Sequence, residues 1–234
     1  MTACAWCIKA TAKNFKDNTL NPTDEIKQIY KTYREDIDRR LDEFRLVFDN
    51  GSDEDVFCEL AFCLFTPQSN ARSCWAAVES LCEKGLLLNG KKSDIQNELR
   101  GVRFHYTKAK NLERARDLFT NLEGKLDIKS KISSFKDPFE ARLWLSDNVL
   151  GMGMKEASHF LRNIGKGENL AILDRHIFRN LMEFGVIDEI PQSLTRDRYI
   201  KLENKTRKFA ESVSIPLDVF DIVIWIRSKG EIFK

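Results

Sequence analysis

The sequence predicts an all-α protein. Apolar residues recur at spacings of three and four almost throughout its 234 residues, and no stretch of strand alternation is bounded by hairpin turns. Capping residues and glycines also fall where one amphipathic segment ends and the next begins. The first helix is expected over about 24–48, where Ile26, Ile29, Tyr33, Ile37, Leu41, Phe44 and Phe48 form one stripe. Asn50-Gly51-Ser52 ends it, and Ser52 with Asp55 has the form of a capping box for a second helix over 53–65. That helix is apolar on nearly every side, as a central core helix would be. Helices follow over 69–84, over 94–100 with Ser93 and Gln96 as its capping pair, and over 107–120.

The clearest local grammar comes next. Asp137 is an N-cap, Pro138 sits at the first helical position where its missing N–H costs nothing, and Glu140 occupies the third. This helix runs to Leu150, where Gly151-Met152-Gly153 breaks it, and another runs over 154–164 until Gly165 and Gly167 stop it. Further helices are expected over 174–184, over 195–213 and, opened by Pro216, over 217–227.

Composition narrows the functional classes. A hydrophobic share of 42% and a charged share of 32% are those of a soluble globular chain. No apolar run approaches the roughly 20 residues that cross a bilayer, and residues 1–15 carry no secretory signal, so a cytoplasmic protein without a membrane partner is expected. Cys58, Cys63, Cys74 and Cys82 fall inside apolar helical patterns and read as small buried hydrophobes in a reducing compartment. Cys4 and Cys7 form a lone C-x-x-C with no second pair at metal-ligand spacing, in an N-terminal extension over 1–20 read as frayed. The net charge of +2 does not by itself announce a nucleic-acid partner. Arg100, Arg103, His105, Lys108, Lys110, Arg114 and Arg116 make the densest basic stretch, suited to tracking a phosphate backbone or to facing solvent.

Helix, Gly-x-Gly, helix is a hairpin whose glycines allow backbone angles that other residues avoid and close approach of another molecule. Amides in the turn and in the first turn of the next helix lack intrahelical partners, and the helix dipole adds positive potential there. A phosphate suits such a place, although any tight interhelical turn uses glycine too.

The run Leu150-Gly151-Met152-Gly153-Met154-Lys155-Glu156-Ala157, then Leu161-Arg162-Asn163, then Leu173-Asp174-Arg175-His176, resembles the helix-hairpin-helix DNA glycosylases with a downstream catalytic aspartate. Lys155 and Asp174 lie nineteen residues apart, the separation of that superfamily's catalytic pair. Within it, Lys-Glu-Ala-Ser-His-Phe-Leu-Arg-Asn after the hairpin and the closing residues of the chain resemble the archaeal-type second class of 8-oxoguanine DNA glycosylases, over about 30–234.

The resemblance implies two helical lobes with an active-site cleft between them, one over 53–165 with the hairpin, the other joining 21–52 to 166–234. It implies a bifunctional glycosylase and lyase acting on double-stranded DNA that contains oxidised guanine, working as a monomer. Lys155 is the implied nucleophile. Its amine must be partly uncharged to attack the sugar C1′, and a place in the first helical turn, where the dipole disfavours an ammonium, suits this. Loss of the base leaves a Schiff base, and β-elimination then nicks the strand. Asp174 is explained as an N-cap by its position alone; the resemblance adds a carboxylate that steadies oxocarbenium-like charge.

The remaining roles follow in the same way. Gly151, Gly153, Arg175 and His176 are implied to hold the DNA backbone, His176 being equally explicable as a structural histidine. Thr66-Pro67-Gln68-Ser69-Asn70 resembles the intercalating segment, with Gln68 as the wedge that fills the gap left by an extruded nucleotide. Phe104 and Trp225 match the aromatic faces that sandwich the base, and Lys234 matches a lysine at the base edge. No cysteine follows Cys82, so the four-cysteine cluster motif of endonuclease III-like relatives is missing; no iron-sulfur cluster and no other cofactor or metal is expected. Two other readings stay open: a related glycosylase for another oxidised base, and a non-catalytic helix-hairpin-helix module that grips DNA.

Overall fold

The computed structural model describes residues 21–234 and is helical, as its periodicity predicts; the extension over 1–20, with Cys4 and Cys7, lies outside the described residues. Twelve helices occur among those residues: α1 (Pro22–Asp49), α2 (Asp53–Phe65), α3 (Ala71–Glu83), α4 (Leu86–Asn89), α5 (Lys92–Glu98), α6 (His105–Phe119), α7 (Ile128–Ser133), α8 (Pro138–Asn148), α9 (Met154–Asn163), α10 (Arg175–Glu183), α11 (Arg196–Ser212) and α12 (Leu217–Lys229). None is long and apolar enough to cross a membrane.

Most helix starts are set by local chemistry. The Asp55 amide donates to Ser52 Oγ at 3.2 Å while Asp55 Oδ2 accepts the Ser52 amide at 2.7 Å, so both halves of the capping box form. Asp137 caps α8 through the Glu140 amide at 2.9 Å, and Thr195 caps α11 through the Arg198 amide at 3.3 Å. Two starts differ from expectation. Asn70, not Ser69, adjoins α3, accepting the Ser73 amide at 3.1 Å. The helix placed over 94–100 begins two residues earlier, because Asp94 sits at its third position and takes the Lys91 amide at 3.1 Å, leaving Ser93 inside the helix. The short helices α4 and α7 span too few residues to show a period and were not anticipated.

The described residues divide into two compact units, one spanning Phe44–Gly167, the other made of Glu168–Lys234 with residues 21–43. In the first, α2 and α9 form the centre. From Ala157 to Asn163 every residue of α9 is buried. Its polar side chains make contacts there: Asn163 donates to Glu59 of α2 at 2.9 Å, the His159 ring meets Phe62 edge-on at 5.6 Å, and the Arg162 guanidinium lies 4.8 Å from the Phe44 ring centre. Cys63 and Cys74 are buried as expected, whereas Cys58 and Cys82 are only half-buried and meet each other at 2.8 Å, their thiol pairing and burial holding Cys58 protonated.

In the second unit α1 presents Ile26, Ile29, Tyr33 and Ile37 to the core. Leu41, expected on this stripe, is only half-buried, while its neighbour Arg40 is fully buried and pairs with Glu43 at 2.8 Å. Arg227 of α12 ties three helices together: its guanidinium donates to Glu25 of α1 at 2.8 Å, and to Asn180 and Glu183 of α10 at 2.6 and 2.7 Å.

Candidate active site

Gly151 turns the chain between α8 and α9 at φ +86°, and a Cβ there would run into the side chain of Asn111, itself buried. Gly153 is different. Its backbone is extended at φ −94°, and a Cβ there would meet only Glu156 Oε2 at 3.2 Å. Of the two glycines expected to need special angles, one does.

Helix α9 therefore starts from a rigid turn, and Lys155 and Glu156 are the half-buried pair at the head of an otherwise buried helix. Their side chains are 19% and 16% exposed, with Lys155 Nζ 3.8 Å from Glu156 Oε1. The other carboxylate oxygen of Glu156 accepts the Gly153 amide at 3.2 Å, which closes the turn and fixes the acid beside the amine. Glu156 was quoted in the motif but given no role by sequence reasoning. Its signal was available: a carboxylate at the third position of a helix reaches back to the cap amide.

Asp174 is held in the other unit by unusual backbone support. The buried, non-helical run Leu170–Leu173 leads into it, and such a segment must find partners for its amides and carbonyls. Helix α11 supplies them. Glu203 Oε1 accepts the Ala171 amide at 2.8 Å, and the Tyr199 hydroxyl donates to the Ala171 carbonyl at 2.6 Å while accepting the Leu173 amide at 3.3 Å. Asp174 then caps α10, Oδ1 accepting the His176 and Ile177 amides at 2.8 Å each. One carboxylate oxygen is committed to the cap and the side chain stays half-exposed.

Arg175 is exposed, free to reach an anion, whereas His176 is half-buried. Its ring packs edge-on against Trp225 at 6.3 Å with Nε2 shielded from solvent, because α12 passes beside the start of α10. The histidine given to the DNA backbone thus braces the aromatic side chain given to the base pocket. Ile232 and Phe233 are buried, which anchors the segment carrying Lys234.

Gln68 and Phe104 both lie in the Phe44–Gly167 unit, exposed, with left-handed backbones at φ +55° and +60°. Phe104 is 51% exposed, with the Arg103 guanidinium 5.3 Å from its ring centre. The basic stretch around it does not all face outward. Lys108 is buried under the 65–69 turn, and Arg116 donates to the carbonyls of Leu87 and Gly90 at 3.4 and 3.0 Å, whereas Arg100, Arg103, Lys110 and Arg114 remain exposed. Charge spacing along a helix does not tell which cations cap neighbouring carbonyls.

The family model for 8-oxoguanine DNA glycosylase, helix-hairpin-helix type, matches residues 37–215. The 8-oxoguanine DNA glycosylase/AP lyase of Fusobacterium nucleatum is 42% identical over 210 residues, 90% of this chain and 96% of its own length. That of Methanocaldococcus jannaschii is 37% identical over 198 residues, 85% and 91% of the two chains. Among solved structures, the 8-oxoguanine DNA glycosylase of Thermotoga maritima superposes with a TM-score of 0.81 at 33% identity, covering 91% of this chain and 98% of that one. The M. jannaschii glycosylase/lyase in complex with 15mer DNA containing 8-oxoguanine gives a TM-score of 0.79 at 34% identity, covering 89% and 99%.

Proposed function

We propose that this chain, which belongs to the helix-hairpin-helix family of 8-oxoguanine DNA glycosylases, removes 8-oxoguanine from double-stranded DNA and then nicks the abasic strand. The observation that carries the reading is the head of α9, where a half-buried lysine and a fixed carboxylate follow a turn built on a left-handed glycine. Such a turn offers amides without intrahelical partners to a phosphate, and so brings the sugar of one nucleotide to a defined amine.

The chemistry runs in two steps. The neutral Lys155 amine attacks C1′, the bond from C1′ to the base breaks, and the base leaves with its electron pair and takes up a proton. Glu156, whose carboxylate is 3.8 Å from Nζ, is placed to accept the proton that the ammonium must shed. Asp174 opposes the positive charge that develops on the sugar, its free oxygen being the one not used by the cap. The C1′–O4′ bond of the resulting aminal then opens, O4′ taking a proton and the nitrogen losing one, and the Schiff base so formed acidifies C2′, whose deprotonation expels the 3′ phosphate. Nothing in this sequence is assigned to a metal or an iron-sulfur cluster.

The other residues serve recognition. Gly151 and Gly153 admit the backbone closely and exposed Arg175 grips a phosphate. Gln68 enters the base stack, Phe104 and Trp225 receive the extruded base with His176 behind Trp225, and Lys234 meets its edge. The relatives named above come from bacteria and an archaeon, which supports action on the chromosome in the cytoplasm; in this reading a single chain acts alone.

Borohydride reduction in the presence of duplex containing 8-oxoguanine tests this directly. The protein is expected to be trapped covalently, Lys155→Gln to abolish trapping, and Asp174→Asn to slow it at least a hundredfold while keeping the cap, since asparagine caps as well as aspartate. Trapping that survives Lys155→Gln refutes the nucleophile, and preference for an oxidised pyrimidine over 8-oxoguanine in a panel of single-lesion duplexes refutes the substrate.

A further inference from the structure

Gln68 and Phe104 are two of four non-glycine residues with left-handed backbones among the described residues. Such a conformation is strained for a residue with a side chain and lasts only where its surroundings impose it. Gln68 lies between contacts of one buried side chain, and Phe104 is linked to that same side chain through Ser69. Lys108 is 4% exposed, and its Nζ donates to the Phe65 carbonyl at 2.6 Å, the Pro67 carbonyl at 2.8 Å and Ser69 Oγ at 2.8 Å, so that all three protons go to the chain on either side of Gln68. The Lys108 amide donates to the Phe104 carbonyl at 3.0 Å, the bond that opens α6 whatever the side chain, so it is the side chain that is particular to this position. Ser69 Oγ also accepts the Arg103 amide at 3.0 Å, one residue before Phe104.

The Phe65 carbonyl belongs to the end of α2, where carbonyls lack helical partners and attract a cation, and it also accepts the Cys74 thiol at 3.1 Å. Burial disfavours the ammonium and pushes its pKa down, with Cys74 and Glu156 the nearby acidic groups acting in the opposite direction.

We propose that Lys108 is a positioning residue for nucleotide extrusion, holding the Gln68 wedge and the Phe104 platform at a set mutual distance so that opening the base step and receiving the base are one event. This rests on the glycosylase reading. A nucleotide in a single strand needs no wedge, so the residue matters for duplex and hardly for an abasic site already unpaired.

The test compares two reactions of the full chain: excision of 8-oxoguanine from duplex, and borohydride trapping on a single-stranded oligonucleotide with a pre-formed abasic site. Lys108→Met is expected to lower the first on the order of tenfold more than the second, a loss of the size that small misplacements cause. It should also abolish the fluorescence rise of 2-aminopurine beside the lesion. Lys108→Arg should recover part of the ratio. Ser69→Ala keeps both carbonyl contacts of Lys108 but loses the tie to Arg103, and should shift the ratio severalfold in the same direction; it decides the matter if Lys108→Met fails to fold. An unchanged ratio in the folded variants, or parallel loss of both reactions, overturns the proposal alone. Absence of trapping by the unsubstituted protein overturns the parent reading and this one with it.

Discussion

The Tyr199 hydroxyl donates to the carbonyl of Ala171 at 2.6 Å, three residues ahead of Asp174, and receives the Leu173 amide at 3.3 Å. Nothing helical satisfies these groups, so one phenol oxygen sets the path of the chain into a candidate catalytic acid. Tyr199→Phe removes both bonds and leaves a buried carbonyl and amide without this partner. A loss of about 1–3 kcal/mol in urea denaturation is expected. The turnover number for base excision should fall further than KM rises, since Asp174 shifts while the DNA-gripping groups stay. An unchanged denaturation midpoint with full turnover would mean that packing alone holds the segment.

The two hairpin glycines should respond unequally. Gly151→Ala forces a side chain into a left-handed backbone and against Asn111, and is expected to cost at least about 1–3 kcal/mol and to weaken duplex binding. Gly153→Ala has an ordinary extended backbone to occupy and one carboxylate oxygen to displace, so its cost should stay below about 1 kcal/mol. Thermal melting and binding to duplex with an abasic analogue distinguish them. Equal effects at both positions would contradict the geometry of the turn.

Acid should act through Glu183. The Arg227 guanidinium donates to both its carboxylate oxygens at 2.7 Å, which holds Glu183 below the ordinary carboxylate value of 4.5. A carboxylate whose folded-state pKa is depressed contributes stability above its unfolded pKa, and that contribution disappears as pH falls through the depressed value. Solvent reaches nearly half of the Glu183 side chain, at 45% exposure, so the contribution belongs with surface pairs, about 0–1 kcal/mol. Glu183→Gln should therefore lower the urea midpoint at pH 7 and 0.1 M salt, and by less near pH 3. The same offset at both pH values would remove the linkage.

Much of this protein was legible in one dimension because the deciding interactions are local. The caps at Ser52, Asp137 and Thr195 each satisfy an amide three residues onward, and the run from Leu150 to Ala157 contains within itself the turn, the acid and the amine. Family membership is legible for the same reason, since it rests on a short motif and an aspartate nineteen residues after a lysine.

Tertiary structure alone decided what the remaining polar groups do. The same basic stretch sends Lys110 to solvent and Lys108 to carbonyls about forty positions earlier in the chain, a choice made where α6 meets the end of α2. Arg40 is buried where a leucine was expected, and His176 packs on an indole forty-nine residues away. Periodicity reports which face of a helix is apolar. The partner of a buried donor depends on which distant acceptor the packing brings within about 3 Å, and that distance has no signature along the sequence.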